Sequence, residues 1–145
     1  MKIVVGNDHI GLCLIKELDG YFKIKKINIK YFGTFNTERM NYPEIAFSVS
    51  EAVAKGEYDQ GILVCGTGLG MSLAANQIKG IRAVPCNDPY SAKMAKSHND
   101  SNIICLGSRL IGAEMAKMIL DNWFNTKYES GRHDIRVKMI NNYKN

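Results

Sequence analysis

The chain has 145 residues, which suits one domain and is short for two. Hydrophobic residues make up 46% and charged residues 23%, which excludes wholesale disorder, and no apolar run approaches the roughly 20 residues that span a bilayer. The N-terminus MKIVVGNDH starts in a strand-like run without the order of a signal peptide, and Cys13, Cys65, Cys86 and Cys105 form no CxxC pair. The expectation is a cytoplasmic protein with reduced thiols, with no disulfide frame and no zinc site.

Taken in chain order, Lys2–Gly6 is a short apolar run ending in glycine, a buried strand. Ile10 to about Phe22 reads as a helix, Ile27–Phe32 as a strand and Gly33–Asn41 as a polar loop. Tyr42–Lys55 carries Ile45, Ala46, Val49, Ala52 and Val53 on one helical face and stops at Gly56. Gly61–Cys65 is a continuous apolar strand, Gly68–Lys79 a helix, Ile81–Cys86 a strand, Pro89–His98 a helix and Asn102–Leu106 a strand. Leu110–Asn125 is an amphipathic helix through Ile111, Met115, Met118, Ile119 and Trp123, and about His133 to Tyr143 predicts a last helix. Strands alternating with helices mean βαβ units. The predicted architecture is α/β, a Rossmann-like three-layer αβα sandwich on a five-stranded parallel sheet, one domain with a C-terminal helical tail. Such sheets bind ligands outside the carboxyl ends of their strands.

Charge adds a hint about the ligand. Residues 1–72 hold eight basic and eight acidic side chains, while residues 73–145 hold eleven and six, so the net +5 lies in the second half. The late basic residues stand singly with no Lys/Arg tract. Nucleic acid is therefore expected to bind only weakly and nonspecifically, whereas isolated arginines suit a small phosphorylated ligand.

Between the third strand and its helix stands VCGTGLGMS. Gly66, Gly68 and Gly70 allow close backbone approach, and successive N–H groups can form an anion nest. No GK[ST] follows, so this is not a P-loop. Met71 stands where GxGxxG needs its last glycine, which weakens a dinucleotide reading despite Asp88 further on. Cys65 ends the strand before this loop. A thiol beside a helix N-terminus is biased toward thiolate, able to act as nucleophile or base; the competing role, a small buried hydrophobe, is about as well supported by position alone. Cys13, Cys86 and Cys105 read as that hydrophobe. Asp8 and His9 follow the first strand at the same sheet edge, an acid–base and anion-binding pair, although Asp8 equally fits a helix N-cap.

Six ordered segments carry a resemblance over nearly the whole chain: GNDHIG (Gly6–Gly11), ERMNYP (Glu38–Pro43), CGTGLGMSLAANQIKGIRA (Cys65–Ala83), PYSAKMAKSHNDSN (Pro89–Asn102), LGSRLIG (Leu106–Gly112) and GRHDIRV (Gly131–Val137). Together they resemble the type B ribose 5-phosphate isomerases, a family that includes the galactose 6-phosphate isomerase subunits. Asn7 departs from the small residue or cysteine expected in GxDH. The resemblance implies an aldose–ketose sugar-phosphate isomerase without metal or cofactor, acting on ribose 5-phosphate or, alternatively, on allose or galactose 6-phosphate. It implies a homodimer or tetramer with no nucleic-acid or membrane partner. It makes Cys65 the base, with Thr67 and Asp8 beside it, and the backbone of Gly66, Thr67, Gly68 and Gly70 the anion hole. Asp8, His9 and Tyr42 would contact substrate, His98 would open the sugar ring with Asn99 beside it, and Arg109, Arg132 and Arg136 would join His9 on the phosphate. A receiver-type signalling module is disfavoured, because the third strand ends in Cys65 and not in an aspartate. Finally, His98 falls just before a strand and Cys65 just after one, about 16 Å apart along a five-residue strand. If both are catalytic, two chains share each site.

Overall fold

Successive side chains of a strand point to opposite faces, so a parallel sheet covered on both sides needs apolar residues at every position. The three central strands meet that demand in their interiors, and the two edge strands meet it only in part. The computed structural model describes residues 1–143 and orders them as β1 (Lys2–Asn7), α1 (Leu12–Ile24), β2 (Asn28–Tyr31), α2 (Tyr42–Ala54), β3 (Gln60–Cys65), α3 (Leu69–Ala75), β4 (Ala83–Pro85), α4 (Pro89–Asn99), β5 (Ile103–Gly107), α5 (Ala113–Asn125), a 3₁₀ turn (Gly131–His133) and α6 (Asp134–Asn142). Ile3, Val5, Ile62, Val64, Ile104 and Leu106 pack against α1, α4 and α5 around the fully buried Trp123. Val4, Leu63, Cys65, Ile103 and Cys105 face the other way, against Val49 of α2 and Met71 of α3. The three layers and five parallel strands are those the sequence predicts. No helix among the described residues is long and apolar enough to cross a membrane.

The strand order is β2-β1-β3-β5-β4. The chain runs outward from β1 to β2 and then returns across β1 to β3, so a crevice opens at the carboxyl ends of β1 and β3. Register aligns those ends: Asn7 lies opposite Val64, and Cys65 opposite Gly107 of β5.

Three elements differ from expectation. The helix after the glycine loop stops at Ala75, not Lys79, because the Asn76 side chain pairs with the backbone of Ala83 in both directions at 2.8 Å. That bond starts β4, which is only three residues long. The helix expected from Leu110 begins at Ala113, since Leu110 and Ile111 donate their N–H groups back to Gly107 in a turn. Arg82 then ties the chain's last helix to the core. Its guanidinium reaches the carbonyls of Asn99 and Asp100 at the end of α4, the Asp100 carboxylate at 2.7 Å and Asn141 of α6 at 3.1 Å.

Candidate active site

The sequence-predicted residues gather in two clusters at opposite edges of the sheet. Asp8, His9, Tyr42, Cys65, Gly66, Thr67, Gly68, Gly70 and Arg109 meet at the carboxyl edge. His98, Asn99, Arg132 and Arg136 meet at the amino edge, where α4 ends and α6 begins.

At the carboxyl edge Cys65 is buried at 6% exposure, and its Sγ accepts the Gly68 N–H at 3.1 Å. The sulfur thus has a backbone donor aimed at it. Gly68 provides it from the left-handed region, φ 77°, where a side chain would be strained. At seven residues α3 is barely two turns, so this loop donor matters more than a helix dipole. The other buried thiols are held neutral. Burial and then Asp88 push Cys86 up to about 12, and burial with its two cysteine neighbours puts Cys105 well above the usual thiol range. Cys13, expected to be buried, is exposed on α1.

Asp8 is buried, and its carboxylate accepts the N–H groups of Ile10 and Gly11 at 2.9 and 2.8 Å. It therefore holds the turn into α1 while its other carboxylate oxygen stays outside that bond. His9 presents a buried Nδ1 with no hydrogen-bond partner among the described residues. Ser108 laces the edge together, donating to the carbonyls of Ile10 and Cys65 at 3.1 and 3.2 Å, and the next residue, Arg109, donates its N–H to Gly66 at 3.0 Å. Tyr42 lies over Gly70 so closely that a Cβ there would stand 2.6 Å from the ring. Asn7, the departure from the motif, is fully buried and bonds the carbonyls of Asp8 and Thr34, so it braces the loop behind the site. A pocket of about 570 Å³ opens here, lined by His9, Ile10, Arg39, Met40, Asn41 and Arg109. Arg39 is a basic group that sequence reasoning missed. It sits in the irregular 33–41 loop, where no periodicity marks which way a side chain faces.

At the amino edge the His98 and His133 rings stack at 4.3 Å and 12°. Glu129 Oε2 stands 3.7 Å from His98 Nε2 and 3.6 Å from His133 Nε2. Arg132 donates its Nε–H to His133 Nε2 at 3.2 Å, and Arg136 Nη1 donates to the Arg132 carbonyl at 2.9 Å, so the two arginines are neighbours although Arg132 precedes α6. Glu129 and His133 escaped the sequence reading; the only signal was the GRH of a motif already noted. These three ligand atoms lie within 4.8 Å of one another, the one such group among the described residues. A metal would need the lone pair of His133 Nε2, which the Arg132 N–H occupies, and it would meet two guanidinium groups. The set fits a proton-sharing network better than a cation.

A family profile described as Ribose/Galactose Isomerase matches residues 3–140. The chain is 48% identical over 139 residues to the ribose-5-phosphate isomerase B of Escherichia coli (strain K12), covering 96% of this chain and 93% of that protein. The fold matches a structure of Clostridium thermocellum ribose-5-phosphate isomerase B with a TM-score of 0.97 at 43% identity, over 99% of this chain and 97% of that one. It matches Mycoplasma genitalium ribose-5-phosphate isomerase B, solved with bound ribulose-5-phosphate, with a TM-score of 0.94 at 34% identity, over 99% and 95%. The chain belongs to the ribose/galactose isomerase family.

Proposed function

We propose that this protein interconverts ribose 5-phosphate and ribulose 5-phosphate in the cytoplasm, through an enediol and with Cys65 as the base. The observation that carries the reading is the Cys65 sulfur at the end of β3, with the Gly68 N–H on it and a pocket containing His9 and Arg109 beside it. The thiolate takes the C2 proton of the open aldose. The enediolate charge develops on the sugar oxygens, where the N–H groups of Gly66 to Gly70 and the Thr67 hydroxyl supply donors. The O2–H proton passes to O1, and return of the carbon-bound proton from Cys65 to C1 leaves the ketone at C2, so the reaction is redox-neutral overall. Asp8 and His9 hold the sugar hydroxyls, Tyr42 closes the pocket wall, and the phosphate is a remote handle that fixes the sugar in place.

Ring opening comes first. His98 donates a proton to the ring oxygen as the C1–O bond breaks, and the anomeric hydroxyl loses its proton to water, giving the aldehyde. His98 lies a strand's length from the Cys65 of its own chain, roughly 16 Å, while an acid must come within about 3 Å of its target. We therefore propose a two-fold homodimer in which His98, Asn99, Arg132 and Arg136 of one protomer complete the Cys65 site of the other. The exposed apolar side chains of α6, Ile135, Met139 and Ile140, support such an assembly, as does an apolar groove of about 620 Å³ lined in part by Leu73, Ile81, Met139 and Tyr143. An isomerase assay of the purified protein across five- and six-carbon aldose phosphates tests the function. The expected result is turnover of ribose 5-phosphate with kcat/KM at least about tenfold above allose and galactose 6-phosphates. A preference for a six-carbon substrate would overturn it.

A further inference from the structure

We infer that His133 is a positioning residue for ring opening: by holding Arg132 it leaves the Glu129 carboxylate to His98. This rests on the reading of His98 as the ring-opening acid. His133 is only 7% exposed and stacks face to face on His98. The Arg132 N–H donated into its Nε2 requires a lone pair there, so the ring is the neutral tautomer with its proton on Nδ1. Burial, followed by the charges of His98 and Arg132, holds His133 below the ordinary histidine range. Its Nε2 thus carries no proton toward Glu129, although the carboxylate is as near to it as to His98. Of the two rings, only His98 can place an N–H on that carboxylate.

The remaining charged groups around the pair are engaged elsewhere. Arg136 is turned to the Arg132 carbonyl, Asp134 accepts from Tyr128, Asp100 is bound by Arg82, and Lys96 donates to the Ser101 carbonyl. An imidazole whose Nε2–H faces a carboxylate exchanges its other proton at Nδ1, the arrangement by which a carboxylate orients a catalytic histidine. Without His133, the freed Arg132 Nε–H would turn to Glu129 and take that carboxylate from His98.

The chain has three histidines, so ring ¹⁵N and ¹H signals of the dimer can be assigned by single substitutions. In the wild type, His133 should show the neutral Nδ1–H pattern at about pH 6.5. His133→Phe keeps a flat ring but drops the acceptor, and the His98 ring signals should move. His133→Gln restores an acceptor for Arg132 and should restore the His98 signals. Glu129→Gln leaves the Arg132–His133 bond in place and should lower kcat on ribose 5-phosphate about three- to tenfold with KM little changed. A protonated His133 at that pH, or His98 signals that do not move in His133→Phe and Glu129→Gln, would overturn the inference. Full turnover by His98→Asn would instead remove the acid reading, while the spectra would still decide the coupling of the two rings.

Discussion

The carboxyl-edge and amino-edge clusters are built by different means. At the carboxyl edge, Asp8 and Ser108 stand directly after β1 and β5 and Cys65 ends β3 between them, and backbone N–H groups fix them: Asp8 N–H to the Val64 carbonyl, Ser108 N–H to the Cys65 carbonyl, Gly68 N–H to the thiol. At the amino edge, His98, Glu129, Arg132, His133 and Arg136 come from a helix end, a connection, a turn and the start of α6, and their side chains reach one another or a neighbouring carbonyl at 2.9 to 3.7 Å. The first cluster is set by the sheet and should be rigid in a single chain. The second is half-exposed and suits residues whose final geometry depends on a neighbour. A base that must meet one proton benefits from the first construction; groups that close over a bound sugar phosphate benefit from the second.

The sharpest way to break this comparison is to remove one chemical group from each cluster. Cys65→Ala should fold normally, bind sugar phosphate and lose at least about 100-fold in kcat. His98→Ala should be comparably impaired on cyclic ribose 5-phosphate. If the clusters meet across two chains, mixing the two variants after reversible dissociation should recover about a quarter of wild-type activity, because half the dimers would carry one intact site of two. Heterodimers that form but show no activity would place both residues in one site of one chain, and Cys65→Ala retaining more than a few per cent of kcat would show another base at work.

The arginines come next in size. Arg132→Ala and Arg136→Ala should each raise KM for phosphorylated sugars about 10- to 100-fold, since a charge-assisted phosphate contact is worth roughly 1.5–3 kcal/mol. Secondary structure at the carboxyl edge should be unchanged in both. Equal wild-type turnover of free ribose and its phosphate would show that phosphate is no handle at all.

The contrast also explains what was legible in the sequence. β3 and β5 announce themselves as apolar runs, and the residues that follow them are at the sheet edge by chain order alone. Hence the place of Asp8, Cys65, the glycine loop and Arg109 at this edge is legible in the sequence alone. The length of α3 was not legible, because its end is set by Asn76 bonding to Ala83 seven residues on, and nothing in the helical pattern marks that bond. Glu129 and His133 were missed for a related reason: residues 126–130 join α5 to the 3₁₀ turn without periodicity, and only the fold brings them under His98.

A smaller effect is expected where the two clusters' surroundings are merely packed. Gly70→Ala would drive a methyl into the Tyr42 ring, and Tyr42 is part-exposed and free to swing outward. The cost should be about 1–3 kcal/mol of stability if the ring is held, and less if it moves. Thermal denaturation separates the cases: an unchanged Tm together with a raised KM would mean that Tyr42 yields and the pocket wall is lost.

The smallest effect is predicted for Arg39, and it bears on whether the carboxyl edge holds phosphate by itself. Arg39 and Arg109 line the same pocket as His9, but their anchoring differs. Arg109 follows β5 by two residues, and its N–H is bonded to Gly66. Arg39 sits in the ten-residue stretch between β2 and α2, where no regular element fixes its backbone. Ordering a long side chain and its backbone offsets much of a charge-assisted bond. Arg39→Ala should therefore raise KM only about three- to fivefold, while Arg109→Ala raises it tenfold or more, with kcat little changed in either. An Arg39→Ala effect as large as that of Arg109→Ala would mean that the loop is already ordered without substrate, and that the carboxyl edge holds phosphate with both of its arginines.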